Sequence, residues 1–398
     1  MERNYITFEE AREIIKESVK PLSSVYLPVV KAGGYVLTED IFSPVDLPLW
    51  TNSAVDGYAL NTESLKNLPA RLRVIGEIKA GEVKRYELKV GEAVKIFTGS
   101  VVPDGADAVI EVEKVKVENG YVLILNEIKK LNNIRLRGEE VKKGDKVVKK
   151  GTEITPGVAG FLSMMGISHV KVFRKPKVFV IITGSEIMKP GERLKKGKIY
   201  DANSVSLSAS LGKMGIDHKV KHIKDDLASM RHIFSEVIRK DFDIIIFTGG
   251  VSVGDYDFVR DILMNKVEKI FYKVRQKPGK PLFFGRKDEK FIFGLPGNPA
   301  AVITCFYEYV YPAIRKMMGF YEIFLPEDEK MLSNDIKKNP DRLYFLRGKV
   351  RGGEVEILPN QDSHMLSSFV GCDCFVLASE GRDFISKGEK VKIHLLPW

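Results

Sequence analysis

Apolar residues recur at helical spacing near the start of the chain, where Phe8, Ala11, Ile14, Ile15 and Val19 fall on one face. Thr7 stands at the N-cap position and Glu10 follows three residues later, the pattern of a capping box. From about Pro44 to Lys150 the period shortens to two. The segment VKVENGYVLIL places Asn119-Gly120 between two alternating runs, which predicts a tight hairpin. A short helix is expected from Thr155-Pro156 to about Gly166.

Past Arg174-Lys175-Pro176 strands and helices alternate. VFVIIT, HKVKHI, DIIIFT and FIFGL read as strands, and helices are expected after Asp201, after Asp226, near Phe258 and from Pro299. This order predicts a doubly wound, largely parallel sheet covered on both faces. After Pro326 the helical pattern stops, and RLYFLRGKV, EVEIL, CFVLAS and KVKIHLL suggest a small β domain. The expected domains are therefore 1–174, 175–324 and 325–398.

Composition narrows the function classes. The chain has 398 residues, is 44% hydrophobic and carries a formal net charge of +10. Its longest apolar runs are too short to span a bilayer, and MERNYITFEE has no signal-peptide core. Three cysteines, Cys305, Cys372 and Cys374, make no disulfide framework. A soluble cytosolic protein is expected. Lysines and arginines are interleaved with acids, as in RLRGEEVKKGDKVVKK, so the excess charge points to small anions rather than nucleic acid.

Three glycine-rich loops follow predicted strands: Thr183-Gly184-Ser185-Glu186, Thr248-Gly249-Gly250-Val-Ser252-Val-Gly254-Asp255, and Gly294-Leu-Pro296-Gly297-Asn298-Pro299. Parallel strands end on one edge, so these loops should converge where ligands bind in such sheets. Glu186, Asp225, Asp226, Asp255 and Asp257 fall near that edge. Clustered carboxylates favour a hard cation such as Mg²⁺, although aspartates also cap helices. Lys273, Lys277 and Lys280 lie on a proline-stiffened loop suited to oxyanions.

Other patterns fail. The chain has no GxxxxGK(S/T) phosphate loop, and His218 and His222 sit on a predicted strand without zincin context. Cys372, Cys374 and His364 make a weak metal pattern. Gly250-Val-Ser252-Val-Gly254 satisfies GxSxG, yet the only later histidines fall in the predicted β domain, where no hydrolase triad would assemble.

Together, TNSAVDGYA (51–59), IFTGSVVPDGADAVI (96–110), IITGSEI (181–187), TGGVSVGDYDF (248–258), KPGKP (277–281) and GLPGNPAA (294–301) resemble the MoeA family, to which the E domain of gephyrin is similar. The resemblance spans essentially the whole chain. It implies a molybdopterin-binding α/β domain, a mostly β domain inserted at about 47–145, and a C-terminal β-barrel-like domain. It implies a homodimer whose cleft is shared between subunits, with Asp56 and Thr98 reaching across it. The implied activity is insertion of molybdate or tungstate into adenylylated molybdopterin, with Mg²⁺-dependent release of AMP. The upstream adenylyltransferase and the acceptor molybdoenzymes are the protein partners this suggests. Glu186, Asp226 and Asp257 match the family's acidic residues, Lys273 and Lys277 its cleft lysines, and Pro296 and Pro299 its loop prolines. Glu140 stands where the family commonly has aspartate. A non-catalytic molybdopterin carrier or scaffold is the alternative.

Overall fold

The computed structural model describes residues 5–251 and 258–398, and the chain divides into two compact units. One comprises residues 1–25 and 171–398, the other residues 26–170.

In the larger unit, six strands form one sheet in the order His218–Ile223, Val178–Thr183, Ile244–Thr248, Lys290–Leu295, Phe283–Lys287 and Glu268–Tyr272. The first four run parallel. They are rich in Val, Ile and Phe, as strands covered on both faces require. Helices Asn203–Lys213, Leu227–Ile238, Phe258–Lys266 and Pro299–Cys305 stand where the alternation predicts them. The last two strands are antiparallel and were not expected. They are short, and a polar turn at Asp288, with φ of 54°, joins one of them to Lys290–Leu295.

One apolar core joins the helix Phe8–Ser18, one sheet face and the C-terminal strands, including Phe8, Val180, Ile246, Phe293, Phe345 and Phe375. Phe8 meets Phe345 edge-on, with ring centroids 5.0 Å apart. Each such buried ring contributes on the order of 2 kcal/mol by removal from water. The capping box forms as expected: Thr7 Oγ1 accepts from Glu10 N at 3.1 Å, and Glu10 Oε2 accepts from Thr7 N at 2.7 Å.

The C-terminal strands Leu343–Arg351, Glu354–Ile357, Glu327–Leu332, Lys390–Leu395 and Cys374–Ala378 close into a barrel, with the last pairing back onto the first. Glu327–Leu332 is the member the sequence pattern hides, because EDEKML does not alternate. Gln276–Lys277, in the lysine loop, pairs parallel with Leu343 and Tyr344 and ties that loop to the barrel.

The smaller unit is built on a six-stranded sheet in which Gly57–Leu60 lies between Ala108–Glu111 and Glu92–Ile96. Gly57 makes that central position possible, since a Cβ there would stand 1.8 Å from the Ile110 carbonyl oxygen. The Asn119-Gly120 hairpin forms with φ of 48° and 78°, the left-handed pair such turns need. Among the described residues no helix is long and apolar enough to cross a membrane.

Candidate active site

Register aligns the ends of the central strands. Thr248 lies opposite Ile182 on one side and Leu295 on the other, so the loops beginning at Gly184, Gly249 and Pro296 leave from one edge. The strand order reverses between Val178–Thr183 and Ile244–Thr248, because the chain goes to one side of the first strand and returns on the other. Ligands of such sheets bind at this switch point. A cavity of about 240 Å³ opens there, walled by Thr183, Glu186, Asp201, Asn203, Asp225 and Thr248, with Gly184, Gly249, Gly250, Gly297 and Pro299 contributing backbone.

Gly184 leaves room for an acid. A Cβ at this position would stand 2.9 Å from both carboxylate oxygens of Glu186. The segment after it is more structured than a turn. Ile187–Met188 pairs parallel with Ile199–Tyr200, and Lys198 Nζ donates to the Ser185 carbonyl at 2.8 Å.

Asp225 and Asp226 have different duties. Asp226 caps the helix Leu227–Ile238, accepting from Ser229 N at 2.8 Å and Ser229 Oγ at 2.7 Å. Those two bonds hold its carboxyl below the usual aspartate range. Asp225 is the neighbour that lines the cavity. Among the described residues no group of three or more His, Cys, Asp or Glu is placed to hold a metal ion. Ser252, Gly254, Asp255 and Asp257 lie outside the described residues.

Asp201 and Asn203 were not expected as site residues, and Thr248 was expected only as the first residue of its glycine-rich loop. Asp201 is 5% exposed, and burial alone would raise its pKa. Bonds from Ser204 N at 2.9 Å, from Ser204 Oγ and from His222 Nε2 at 2.5 Å outweigh burial and hold it below the ordinary value. A polar acid just ahead of a helix is a readable signal, but its neighbour His222, 21 residues away on the strand His218–Ile223, is not. Asn203 Nδ2 donates to the Gly297 carbonyl at 2.8 Å, pinning the GLPGNP turn to the cavity wall.

The lysines form a second locus. Lys280 and Lys273 place Nζ 4.7 Å and 5.6 Å from the centroid of the Tyr5 ring, and Lys280 holds the Tyr5 hydroxyl below its usual pKa. Lys277 faces the barrel, 3.8 Å from Asp362 Oδ1 and 5.5 Å from the centroid of the Tyr344 ring. A cavity of about 250 Å³ is lined there by Lys277, Lys338, Tyr344 and Asp362. Beside it Arg347 is fully buried, its Nε donating to Ser368 Oγ at 3.0 Å and its Nη2 to the Asn360 carbonyl at 3.1 Å. Its Nη1 has no hydrogen-bond partner and no described carboxylate pairs with it, and burial pulls its pKa down to about 10. Its neighbours in the strand are apolar, so only the fold marks it as unusual.

The turn Pro296–Pro299 touches both loci. Asn298 Nδ2 donates to Ser363 Oγ at 2.8 Å, next to Asp362, while Pro296 is buried and Pro299 opens the following helix.

In the smaller unit Asp56 Oδ1 accepts from both the backbone N and the hydroxyl of Thr98 at 2.8 Å. These two bonds hold the exposed Asp56 carboxyl below its ordinary value. Glu140 is exposed on a separate turn, where its backbone N donates to the Leu47 carbonyl at 3.0 Å.

A doubly wound ligand-binding unit joined to a closed barrel and a separate β unit defines a class, and comparison with known proteins agrees. Residues 6–166 match the MoeA N-terminal region (domain I and II), residues 179–316 a probable molybdopterin binding domain, and residues 331–396 the MoeA C-terminal region (domain IV). The chain belongs to the MoeA family. A Haemophilus influenzae protein named molybdopterin molybdenumtransferase is 35% identical over 404 residues, covering 98% of this chain and 100% of its own. A Staphylococcus aureus protein of the same name is 34% identical, covering 99% and 96%. The crystal structure of a molybdopterin biosynthesis MoeA protein from Pyrococcus horikoshii superposes with a TM-score of 0.83 at 30% identity, covering 98% and 100%.

Proposed function

We propose that this chain is a cytoplasmic molybdenum insertase, which places molybdate or tungstate into adenylylated molybdopterin and releases AMP. Family membership supports the molybdopterin substrate, since full-length relatives carry the name molybdopterin molybdenumtransferase. The observation that carries the mechanism is the pairing of two cavities of different charge in one unit. One is lined by carboxylates and neutral oxygens; the other by Lys277, Lys337 and Lys338 together with Asp335 and Asp362.

The first cavity fits Mg²⁺. Glu186 and Asp225 present hard oxygen donors, no thiol or imidazole lines the cavity among the described residues, and Mg²⁺ needs only one or two protein carboxylates when a phosphate supplies the rest. Asp257 is proposed as a further ligand on its match to the family pattern, and the cap role of Asp226 gives Asp225 the stronger claim to the position beside it. Bound there, Mg²⁺ would supply Lewis-acid neutralisation of the anhydride. Glu186 and Asp257 are proposed to orient the attacking water. The backbone of Gly184, Gly249 and Gly297, with Ser185, Gly250, Ser252 and Gly254, is proposed to follow the substrate's surface.

The second locus suits the oxyanion. Lys277 and Arg347 stand beside a cavity, and a buried guanidinium without a carboxylate is the natural partner of an anion. Lys273 and Lys280 extend the positive loop. The turn Pro296–Pro299, tied to Asn203 on one side and Ser363 on the other, keeps the two loci in register. Burial holds the cysteines protonated, with Cys372 pushed up to about 11 and Cys374 to about 12, so the molybdenum sulfur ligands come from the pterin.

We further propose a homodimer in which Asp56 and Thr98 of the partner subunit complete the cleft, with Glu140 near it. Trp50, Leu49 and Leu136 are 60%, 45% and 41% exposed on the smaller unit, apolar side chains that a second copy would cover. The arrangement 1–174 with its inserted β domain, 175–324 and 325–398 is the proposed domain division.

The test is AMP release from adenylylated molybdopterin with Mg²⁺, comparing molybdate, tungstate and no oxyanion. Oxyanion-stimulated release supports the insertase. Tight binding without turnover in all three would mark a carrier instead.

A further inference from the structure

Among the described residues, no lysine, arginine or histidine lines the cavity at the sheet edge. On its lining, Asn203 Oδ1 and Thr248 Oγ1 are buried oxygens with no hydrogen-bond partner. Asn203 is 8% exposed and Thr248 1%, so bulk water does not satisfy these atoms in compensation. Buried polar atoms are normally paired, and an orphan in a ligand cavity marks a contact reserved for something else.

The orientation of Asn203 is set by its surroundings. Its Nδ2 donates to the Gly297 carbonyl at 2.8 Å, and turning the amide over would set two oxygens against each other. Its backbone is held as well, because Asp201, clamped by His222, accepts from the next residue, Ser204 N, at 2.9 Å. Thr248 is fixed at the strand end, where its carbonyl accepts from Thr183 Oγ1 at 3.1 Å. The result is a rigid acceptor and, on the lining of the same cavity, a hydroxyl able to accept or donate. Glu186, Asp201 and Asp225 line the same cavity and make it hostile to a bare anion.

We propose, resting on the insertase reading above, that Asn203 and Thr248 form a subsite for the N–H donor edge of a planar nitrogen heterocycle. Two parts of the substrate carry such an edge, the aminopyrimidinone of the pterin and the adenine of the AMP group. A site built to bond such an edge rejects analogues lacking it, because its own buried groups are then left unpaired.

The test is calorimetric titration of the full chain with adenylylated molybdopterin, 6-carboxypterin and AMP, using wild type, Thr248→Val and Asn203→Ala. Thr248→Val keeps the shape and deletes only the unpaired hydroxyl. Its melting temperature should hold or rise while affinity falls about tenfold. Asn203→Ala should lose at least as much affinity and also melt lower, since it loses the bond to Gly297. A loss confined to 6-carboxypterin among the fragments assigns the pterin, and one confined to AMP assigns adenine. Wild-type affinity for all three probes in both variants would overturn the subsite and leave the insertase reading standing. Failure of the wild type to bind any probe would overturn both.

Discussion

Asn298 Nδ2 and Ser363 Oγ are joined by a hydrogen bond of 2.8 Å that links the GLPGNP turn to the barrel's edge. Ala300 N reinforces it by donating to the Ser363 carbonyl at 3.0 Å. Through this turn the acidic cavity at Gly297 is held next to the segment carrying Asp362, the partner of Lys277. Loss of one such bond costs about 1 kcal/mol. The modest energy secures a geometric relation that the two cavities depend on.

The two adjacent aspartates should separate by substitution. Asp226→Asn keeps a good N-cap and should retain fold and most activity. Asp225→Asn removes a cavity carboxylate and should lower AMP release by more than about tenfold. Steady-state kinetics on both variants decide this, and the reverse ranking would return the site to Asp226.

Arg347→Met removes a buried charge that forms no ion pair with a described carboxylate, Asp362 acting on it only from farther off. Burial of an unpaired charge is costly, so the variant should melt no lower than wild type by more than a few degrees. Its affinity for molybdate, measured by calorimetry, should fall more than about tenfold. Unchanged affinity would remove Arg347 from the oxyanion locus.

Ser204→Ala tests the clamp on Asp201. Because the folded-state pKa of Asp201 lies below its ordinary value, the clamp contributes stability above that ordinary value, about 4. That contribution is lost as pH falls through the folded pKa. Ser204→Ala should therefore be destabilised at pH 7, with the difference shrinking below about pH 4. Denaturant unfolding across this range measures it.

Gly57→Ala should cost about 3 kcal/mol or more, since its Cβ would be driven into the Ile110 backbone and no rotamer change can relieve that. Circular dichroism and thermal melting would show the smaller unit losing stability. The strain would be felt next door at the Asp56–Thr98 pair.

Much of this was legible from residues. Alternation located the four parallel strands and their helices, and shared strand direction brought the three glycine loops to one edge. What stayed hidden was hidden for physical reasons. Glu327–Leu332 presents charged residues along its length, and its barrel role comes from pairing with Lys390–Leu395 rather than from its own pattern. The antiparallel Glu268–Tyr272 and Phe283–Lys287 flank the lysine loop, whose prolines and charges masked them. Arg347 sits in an ordinary alternating strand, and its missing counter-charge is a property of tertiary packing. The division of labour between Asp225 and Asp226 depends on which carboxylate reaches Ser229, a question of backbone direction that one-residue spacing leaves open.

The most direct measurement is a single turnover of the full chain with adenylylated molybdopterin, molybdate and Mg²⁺, following AMP and pterin-bound molybdenum together. Equal amounts of the two, appearing with the same time course, are expected if anhydride cleavage and metal insertion are one coupled event. AMP released without molybdenum entering the pterin would contradict the account.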